Sequence, residues 1–166
     1  MVFLNNLPFF KKGPLLFFRS HSPEITLELG QKLGYLLQKG DFVALTGELG
    51  AGKTTFVKGV VSAYGLSDMV KSPSFILLNE YQLKEDLKLF HLDFYRADVT
   101  ALDDVGWTDL LAGGIVVVEW PEKIAQFIPG TALVVRLEFI DENSRNIYFY
   151  GADIWKERLS KLRTEK

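Results

Sequence analysis

One short segment, residues 47–54, constrains the fold of this chain more than any other. It reads Gly-Glu-Leu-Gly-Ala-Gly-Lys-Thr and fits the pattern G-x-x-x-x-G-K-[ST] of a phosphate-binding loop. The apolar run Phe42–Leu45 precedes it and predicts a buried parallel strand. Apolar residues then recur at helical spacing, and Gly65 predicts the end of that helix. The segment therefore predicts a strand, loop and helix unit built around an anion.

Such a loop binds phosphate through its backbone. Glycines lack a Cβ atom, so successive N–H groups can point at one anion in front of a helix N-terminus. We predict that Lys53 bridges the β- and γ-phosphates of a nucleotide, that the Thr54 hydroxyl is a ligand of Mg²⁺, and that Thr55 binds the α-phosphate. The alternative is a glycine-rich turn without a ligand. The nucleotide-binding residues predicted in the loop are Gly47, Glu48, Leu49, Gly50, Ala51, Gly52, Lys53, Thr54 and Thr55.

The composition is that of an ordinary globular protein, with 48% hydrophobic and 24% charged residues. The length predicts a single domain over residues 1–166, with residues 1–14 as a loosely held extension. The net charge of −2 and the lack of a dense Lys/Arg run argue against direct binding to nucleic acid or to an anionic membrane. No apolar stretch approaches the roughly 20 residues that cross a bilayer. The absence of cysteine excludes disulfides and fits the cytoplasmic location that we expect.

Hydrophobic periodicity along the chain predicts an α/β fold, a three-layer domain with a mixed, partly antiparallel sheet. Ser22 and Pro23 predict the start of a helix whose apolar face runs to Leu37. The run Ile115–Val118 is apolar throughout and predicts a central strand. The further predicted elements are strands at residues 15–18, 75–83, 87–93, 132–140 and 146–150, a whole or broken helix at 100–111, and a C-terminal helix at 154–162.

Two acidic residues end apolar strands, Asp93 and Glu119. Ligands of open α/β sheets bind at the carboxyl ends of the strands, so both acids are expected to face the nucleotide. Glu119 either coordinates Mg²⁺ or activates water, and Asp93 then holds a metal-bound water. Together with Lys53 they are the predicted catalytic residues. An acid at a strand end is otherwise an ordinary solvated turn residue.

Further candidates surround these acids. Ser72 and Ser74 lie in a predicted loop where many phosphate-loop proteins carry a hydroxyl that senses the γ-phosphate. His91 alternates with Asp93 on one face of its strand, and a buried structural role is the preferred interpretation. Arg96 either stabilises charge on a transferring phosphate or forms an ion pair with a neighbouring acid, and the ion pair is the preferred interpretation. Trp120 either stacks on a base or packs under the loop.

Four segments together resemble a known family, the bacterial ATPase TsaE of tRNA threonylcarbamoyladenosine synthesis. The last two of them make the resemblance specific, because the first alone is shared by many nucleotide-binding proteins. The segments are residues 47–56, similar to the family's Walker A motif; 70–75, similar to its switch segment; 91–96, similar to its H-x-D-x-Y-R block; and 118–122, similar to its E-W-P-E block.

The resemblance implies roles for individual residues. It implies that Thr54 and Glu119 coordinate Mg²⁺ with the assistance of Asp93. It also implies that the junction from His21 through Pro23 to Thr26 lies beside the ATP. Ser74 departs from the family, which usually has threonine there, but the hydroxyl is retained.

The resemblance also implies partners, a TsaD–TsaB pair that transfers threonylcarbamoyl to an adenosine of tRNA. In the family this ATPase does not form that bond but resets or sustains the complex, so contact with tRNA is expected only through the pair. The N-terminal extension lies outside the family pattern.

Three other functions are compatible with a phosphate-binding loop. A GTPase is disfavoured because Asp103–Gly106 fits D-x-x-G without following an apolar strand, and no N-K-x-D motif is present. A small-molecule kinase usually carries an Arg-rich lid, and the arginines here are scattered. A nucleotide-gated switch that docks a partner with little turnover stays open.

Overall fold

The computed structural model describes residues 10–70 and 77–163. Within these ranges one sheet is surrounded by helices. The strands are β1 Leu16–Ser20, β2 Phe42–Thr46, β3 Leu78–Lys84, β4 Leu87–Asp93, β5 Ile115–Glu119, β6 Leu133–Phe139 and β7 Arg145–Tyr150. The α-helices are α1 Pro23–Leu36, α2 Lys53–Ser62, α3 Ala101–Asp104, α4 Trp107–Gly113 and α5 Ile154–Ser160. Shorter 3₁₀ turns span Phe10–Lys12, Ser67–Met69, Pro121–Phe127 and Lys161–Arg163.

The sheet of the described residues is mixed, as the sequence predicts. Its strand order is β1-β7-β6-β2-β5-β4-β3. Strands β6, β2, β5 and β4 run parallel, while β1, β7 and β3 attach antiparallel. Every residue of β2 and β5 is buried, as required of parallel strands that are covered on both faces. Strand β2, which precedes the phosphate loop, and its neighbour β5 therefore lie at the centre of the core.

Helices cover both faces of this sheet. On one face α1, α2 and α5 contribute Leu33, Val57 and Trp155 to a buried apolar cluster with the strands. On the other face α3 and α4 contribute Leu102 and Leu110 to a second cluster. The predicted three-layer arrangement is confirmed.

The helices α1 and α2 touch backbone to backbone. A Cβ atom added to Gly30 of α1 would lie 2.3 Å from the carbonyl oxygen of Phe56 in α2. A Cβ atom on Gly59 of α2 would lie 2.1 Å from the carbonyl oxygen of Leu27. Only glycine permits this close approach. The contact fixes α2 against α1, and with it the first turn of α2, which follows the phosphate loop.

Substitution Gly30→Ala is expected to destabilise the protein by about 2–3 kcal/mol, because the new methyl group meets backbone rather than a movable side chain. Urea unfolding measures this loss. Gly130→Ala is the matched control, since nothing lies within 4 Å of a Cβ atom there, and its effect is expected to stay within about 0.5 kcal/mol. Equal losses in the two variants would contradict the close helix contact.

Several element boundaries differ from the sequence prediction in detail. Of the two predicted forms of the segment 100–111, a whole or a broken helix, the structure has the broken one, because Gly106 adopts φ 66° between α3 and α4. Helix α1 ends at Leu36, earlier than predicted, and its C-cap Leu37 is already extended. The C-terminal helix becomes a 3₁₀ turn after Ser160. The first part of the strand predicted over residues 75–83 lies outside the described residues.

The N-terminal extension is described from residue 10 onward. The ring of Phe10 lies against that of Tyr150, with 4.3 Å between their centroids. Among the described residues, no helix combines the length and the apolar character needed to cross a bilayer.

Candidate functional site

The loop between β2 and α2 has the conformation that its glycines allow. Gly47, Gly50 and Gly52 have φ of 148°, 79° and 98°, values that disfavour residues with a Cβ atom. Gly47 also lies so close to β6 that a Cβ atom would be 2.3 Å from the carbonyl oxygen of Leu137. The loop therefore packs against β6, and helix α2 begins directly after it at Lys53.

Lys53, the first residue of α2, is held by the loop itself. Its Nζ donates hydrogen bonds to the carbonyl oxygens of Gly47 at 2.7 Å and Glu48 at 2.9 Å. It also lies 3.9 Å from the ring centroid of Trp120. The side chain is 5% exposed, and this burial lowers the pKa of Lys53, against an opposing effect of nearby acids such as Glu119. Lys53 thus lies at the centre of the site, where burial disfavours its charged form and the nearby acids oppose that effect.

Glu119 ends β5 and is almost fully buried, with 2% exposure. Its Oε1 accepts a hydrogen bond from the Thr54 hydroxyl at 3.0 Å, and its Oε2 lies 3.2 Å from the same hydroxyl. The Nε2 of His91 is 2.9 Å from Oε1. Because a carboxylate only accepts, this imidazole nitrogen is the donor. The carboxylate is therefore held between the phosphate loop and the neighbouring strand.

Asp93 ends β4 directly beside Glu119, since the parallel register pairs the two residues. Its Oδ1 accepts a hydrogen bond from the backbone N–H of Tyr95 at 2.8 Å. Burial raises the pKa of Asp93, the Tyr95 hydrogen bond opposes this, and the Glu119 charge raises the pKa further. Both acids predicted to end strands at the ligand edge are thus neighbours at that edge.

The oxygen atoms of this group are of the kind that Mg²⁺ prefers. Thr54 supplies a hydroxyl, and Glu119 and Asp93 supply carboxylates beside it. The described residues contain no cluster of three or more His, Cys, Asp or Glu side chains suited to a metal ion.

Two clefts meet at Trp120. A cleft of about 460 Å³ runs along the phosphate loop, and a larger one of about 650 Å³ opens beside β6. The smaller cleft carries Lys53, Thr54 and both acids on its walls, whereas the larger cleft touches only the first residues of the loop. The residues of the smaller cleft are Leu49, Gly50, Gly52, Lys53, Thr54, Thr55, Asp93, Tyr95, Arg96, Glu119 and Trp120.

Trp120 has an unusual backbone. Its φ of 59° is the only positive value at a non-glycine residue in the described part of the chain. The conformation turns the ring toward Lys53 and toward the ring of Tyr95, whose centroid is 5.1 Å away. Strained backbone of this kind concentrates at functional sites, and here it places an aromatic wall between the two clefts.

The junction before α1 approaches the other side of the loop. Pro23 and Thr26 line a small cavity of about 80 Å³ together with Gly50, Gly52 and Thr55. His21 is exposed and does not line this cavity. Ser72 and Ser74, the predicted switch residues, lie outside the described residues.

Sequence reasoning missed two contacts of the loop. Arg145, from β7, donates hydrogen bonds to the carbonyl oxygens of Ala51 at 3.1 Å and Gly50 at 3.2 Å. Glu122 accepts a hydrogen bond from the Thr46 hydroxyl at the end of β2. Arg145 stands more than 90 residues after the loop and carries no motif, whereas Glu122 lies inside the segment 118–122 that the sequence singles out.

A central parallel strand, a glycine loop closed on a helix N-terminus, and strand-end acids facing that helix define a P-loop NTPase-like domain. The fold matches the crystal structure of YdiB from Bacillus subtilis with a TM-score of 0.70 and 27% identity, over 89% of this chain and 93% of that one.

A family model described as threonylcarbamoyl adenosine biosynthesis protein TsaE matches residues 20–147. The TsaE protein of Treponema pallidum is 36% identical over 77% of this chain and 95% of its own length. That of Aquifex aeolicus is 35% identical over 78% of this chain and 91% of its own length. The chain belongs to the TsaE family.

Proposed function

We propose that this chain is a magnesium-dependent ATPase that supports the formation of N6-threonylcarbamoyladenosine in tRNA, in complex with a TsaD–TsaB transferase pair. Membership of the TsaE family supports the pathway, since its relatives are named tRNA threonylcarbamoyladenosine biosynthesis proteins. The observation that carries the catalytic part is the 3.0 Å contact between the Thr54 hydroxyl and the Glu119 carboxylate at the first turn of α2.

The loop would bind the phosphates of ATP. The N-terminus of α2 and the backbone N–H groups of the loop residues that line the smaller cleft, Leu49, Gly50 and Gly52, would supply partial positive charge there. Lys53 adds a full charge that is already desolvated and held in the cleft. Phosphate oxygens would join or replace the carbonyl oxygens of Gly47 and Glu48 as acceptors of its hydrogens.

Thr54 and Glu119 would hold Mg²⁺, with Asp93 holding one of its waters. The ion, when bound, neutralises charge that develops on the transferred phosphoryl group. Both acids are held in place for this role, because Glu119 is almost fully buried and Asp93 accepts a hydrogen bond from the Tyr95 backbone. Burial lowers the pKa of Lys53, and the negative charge of the nearby acids opposes that lowering.

The ATPase is tested with the purified full chain, with and without a TsaD–TsaB pair. We expect slow Mg²⁺-dependent hydrolysis by the chain alone, loss of hydrolysis with EDTA, and stimulation by the pair. GTP in place of ATP is expected to support less turnover. Strong hydrolysis that the pair leaves unchanged would contradict the proposal.

A second measurement separates a catalyst from a nucleotide-gated switch. Formation of threonylcarbamoyladenosine over many rounds is followed with ATP and with a non-hydrolysable ATP analogue, the latter supplied to this chain after the threonylcarbamoyl donor has been made. We expect repeated rounds only with ATP. Equal yields with the analogue would show that docking alone suffices.

A further inference from the structure

We propose that His91 is a positioning residue of the ATPase site, which orients the Glu119 carboxylate toward the smaller cleft. The role of His91 in hydrolysis rests on the proposed function. The contact between His91 and Glu119 rests on the geometry of the described residues. It assigns to His91 more than the buried structural role that the sequence favours.

The contact is buried and directional. His91 is 0% exposed and Glu119 is 2% exposed, so water does not compete for the hydrogen bond between them. The Nε2–H of His91 meets Oε1 of Glu119 at 2.9 Å, and the Thr54 hydroxyl meets the same oxygen at 3.0 Å. With two donors on Oε1, the carboxylate is fixed in rotation, and Oε2 keeps acceptor capacity beyond its longer 3.2 Å contact with Thr54.

The imidazole is itself held in place by packing. The ring of Tyr81, on the neighbouring strand β3, is stacked on it with 6.5 Å between the centroids and 27° between the planes. The Nδ1 of His91 has no hydrogen-bond partner among the described residues. Among the described residues, Glu119 is therefore the hydrogen-bond partner of this ring, and the packing of the ring directs its Nε2 toward Glu119.

A buried donor behind a reactive carboxylate acts by removing alternative orientations. A carboxylate that swings away from the Thr54 side would have to break a buried hydrogen bond, which is costly. Partners that orient the ligands of a metal typically change affinity or activity by about 10–100-fold when they are lost. The expected effect of losing His91 is of this size.

Two near-isosteric substitutions separate positioning from packing. His91→Gln keeps an N–H donor at the same distance from the backbone, whereas His91→Met fills similar volume without a donor. We expect His91→Met to lower kcat at least about tenfold and to raise the Mg²⁺ concentration for half-maximal hydrolysis, with little change in KM for ATP. We expect His91→Gln to retain most of the wild-type kcat. Equal kcat values per folded molecule in both variants would overturn the proposal.

A readout without nucleotide tests the contact directly. The chain has two histidines, His21 and His91, so the imidazole ¹⁵N–¹H spectrum is readily assigned with the His91→Gln variant. We expect one slowly exchanging N–H signal, at Nε2 of His91, which shifts in a Glu119→Gln variant. A signal at Nδ1 instead, or none protected from exchange, would overturn the proposal even where hydrolysis behaves as expected.

The two measurements also separate this inference from the proposed function. If the wild-type chain fails to hydrolyse ATP, the ATPase proposal fails, while the protected Nε2–H signal still decides the His91–Glu119 contact. If His91→Met does not fold, the kcat of His91→Gln and the imidazole spectrum decide instead. Loss of kcat in a folded His91→Gln equal to that of Glu119→Gln would count against a donor role.

Discussion

Replacement of Lys53 by alanine is expected to abolish ATP hydrolysis, a loss of at least about a thousandfold, and to weaken ATP binding. The lysine carries the full positive charge that reaches the floor of the smaller cleft from within the loop, and its Nζ is already within 3 Å of two loop carbonyl oxygens. Charge-assisted hydrogen bonds contribute about 1.5–3 kcal/mol each, so affinity should fall roughly 10–100-fold. Hydrolysis is followed by phosphate release and binding by titration calorimetry.

Lys58→Ala is the matched control for Lys53→Ala. It removes the same charge from the same helix, α2, but its side chain does not line the cleft. We expect near-wild-type hydrolysis from this variant. Near-normal hydrolysis by a folded Lys53→Ala protein would refute the assignment of the phosphate loop, and thermal unfolding of both variants establishes that they are folded.

The local units of the fold follow from the sequence because short-range patterns encode them. Residues 47–54 predict a strand, loop and helix unit, and the apolar run before them predicts a strand buried on both faces, which β2 confirms. The rule for strand ends in α/β sheets then predicts that Asp93 and Glu119 meet at one edge, and the parallel register places them side by side. The prediction of the loop unit and that of the strand-end acids each need only the residues of single elements and a general property of α/β sheets.

Contacts across the sheet are not encoded in this way. That His91 meets Glu119 depends on β4 and β5 being neighbours in a given register, which a strand pattern alone leaves open. Arg145 reaches Gly50 and Ala51 because β7 pairs with β6 beside β2, an order that only packing decides. The backbone of Trp120 is a further case, since nothing in its residue type indicates a positive φ.

The same asymmetry explains which side chains form the site. Residues such as Lys53 and Thr54 are found from the sequence because they occupy fixed positions in the phosphate-loop motif. The residues that contact the site from other strands, such as His91 and Arg145, come from elements whose neighbours are set by the whole core. Burial of His91 is what makes its contact with Glu119 consequential, because an unmade hydrogen bond in the interior has no water to replace it.

Glu119→Gln is expected to lower ATP turnover about 10²–10³-fold while changing ATP affinity less than about tenfold. The amide retains an oxygen that accepts hydrogen bonds from Thr54 and His91, so the fold should be preserved. In the proposed mechanism, it removes the negative charge that would hold the magnesium ion, whereas the loop amides and Lys53 would still bind the phosphates. Turnover and affinity are measured on the same preparation, as a function of Mg²⁺.

Glu122→Gln is the matched control, three residues further along the chain. Glu122 is also an acid beside the loop, but it bonds Thr46 and lines the larger cleft rather than the smaller one. If the charge of Glu119 stabilises the transition state, Glu122→Gln retains most of the wild-type turnover, whereas Glu119→Gln loses it. An equal fall of turnover and affinity in Glu119→Gln would contradict this role, because an interaction lost equally from the bound substrate and the transition state does not accelerate the chemical step.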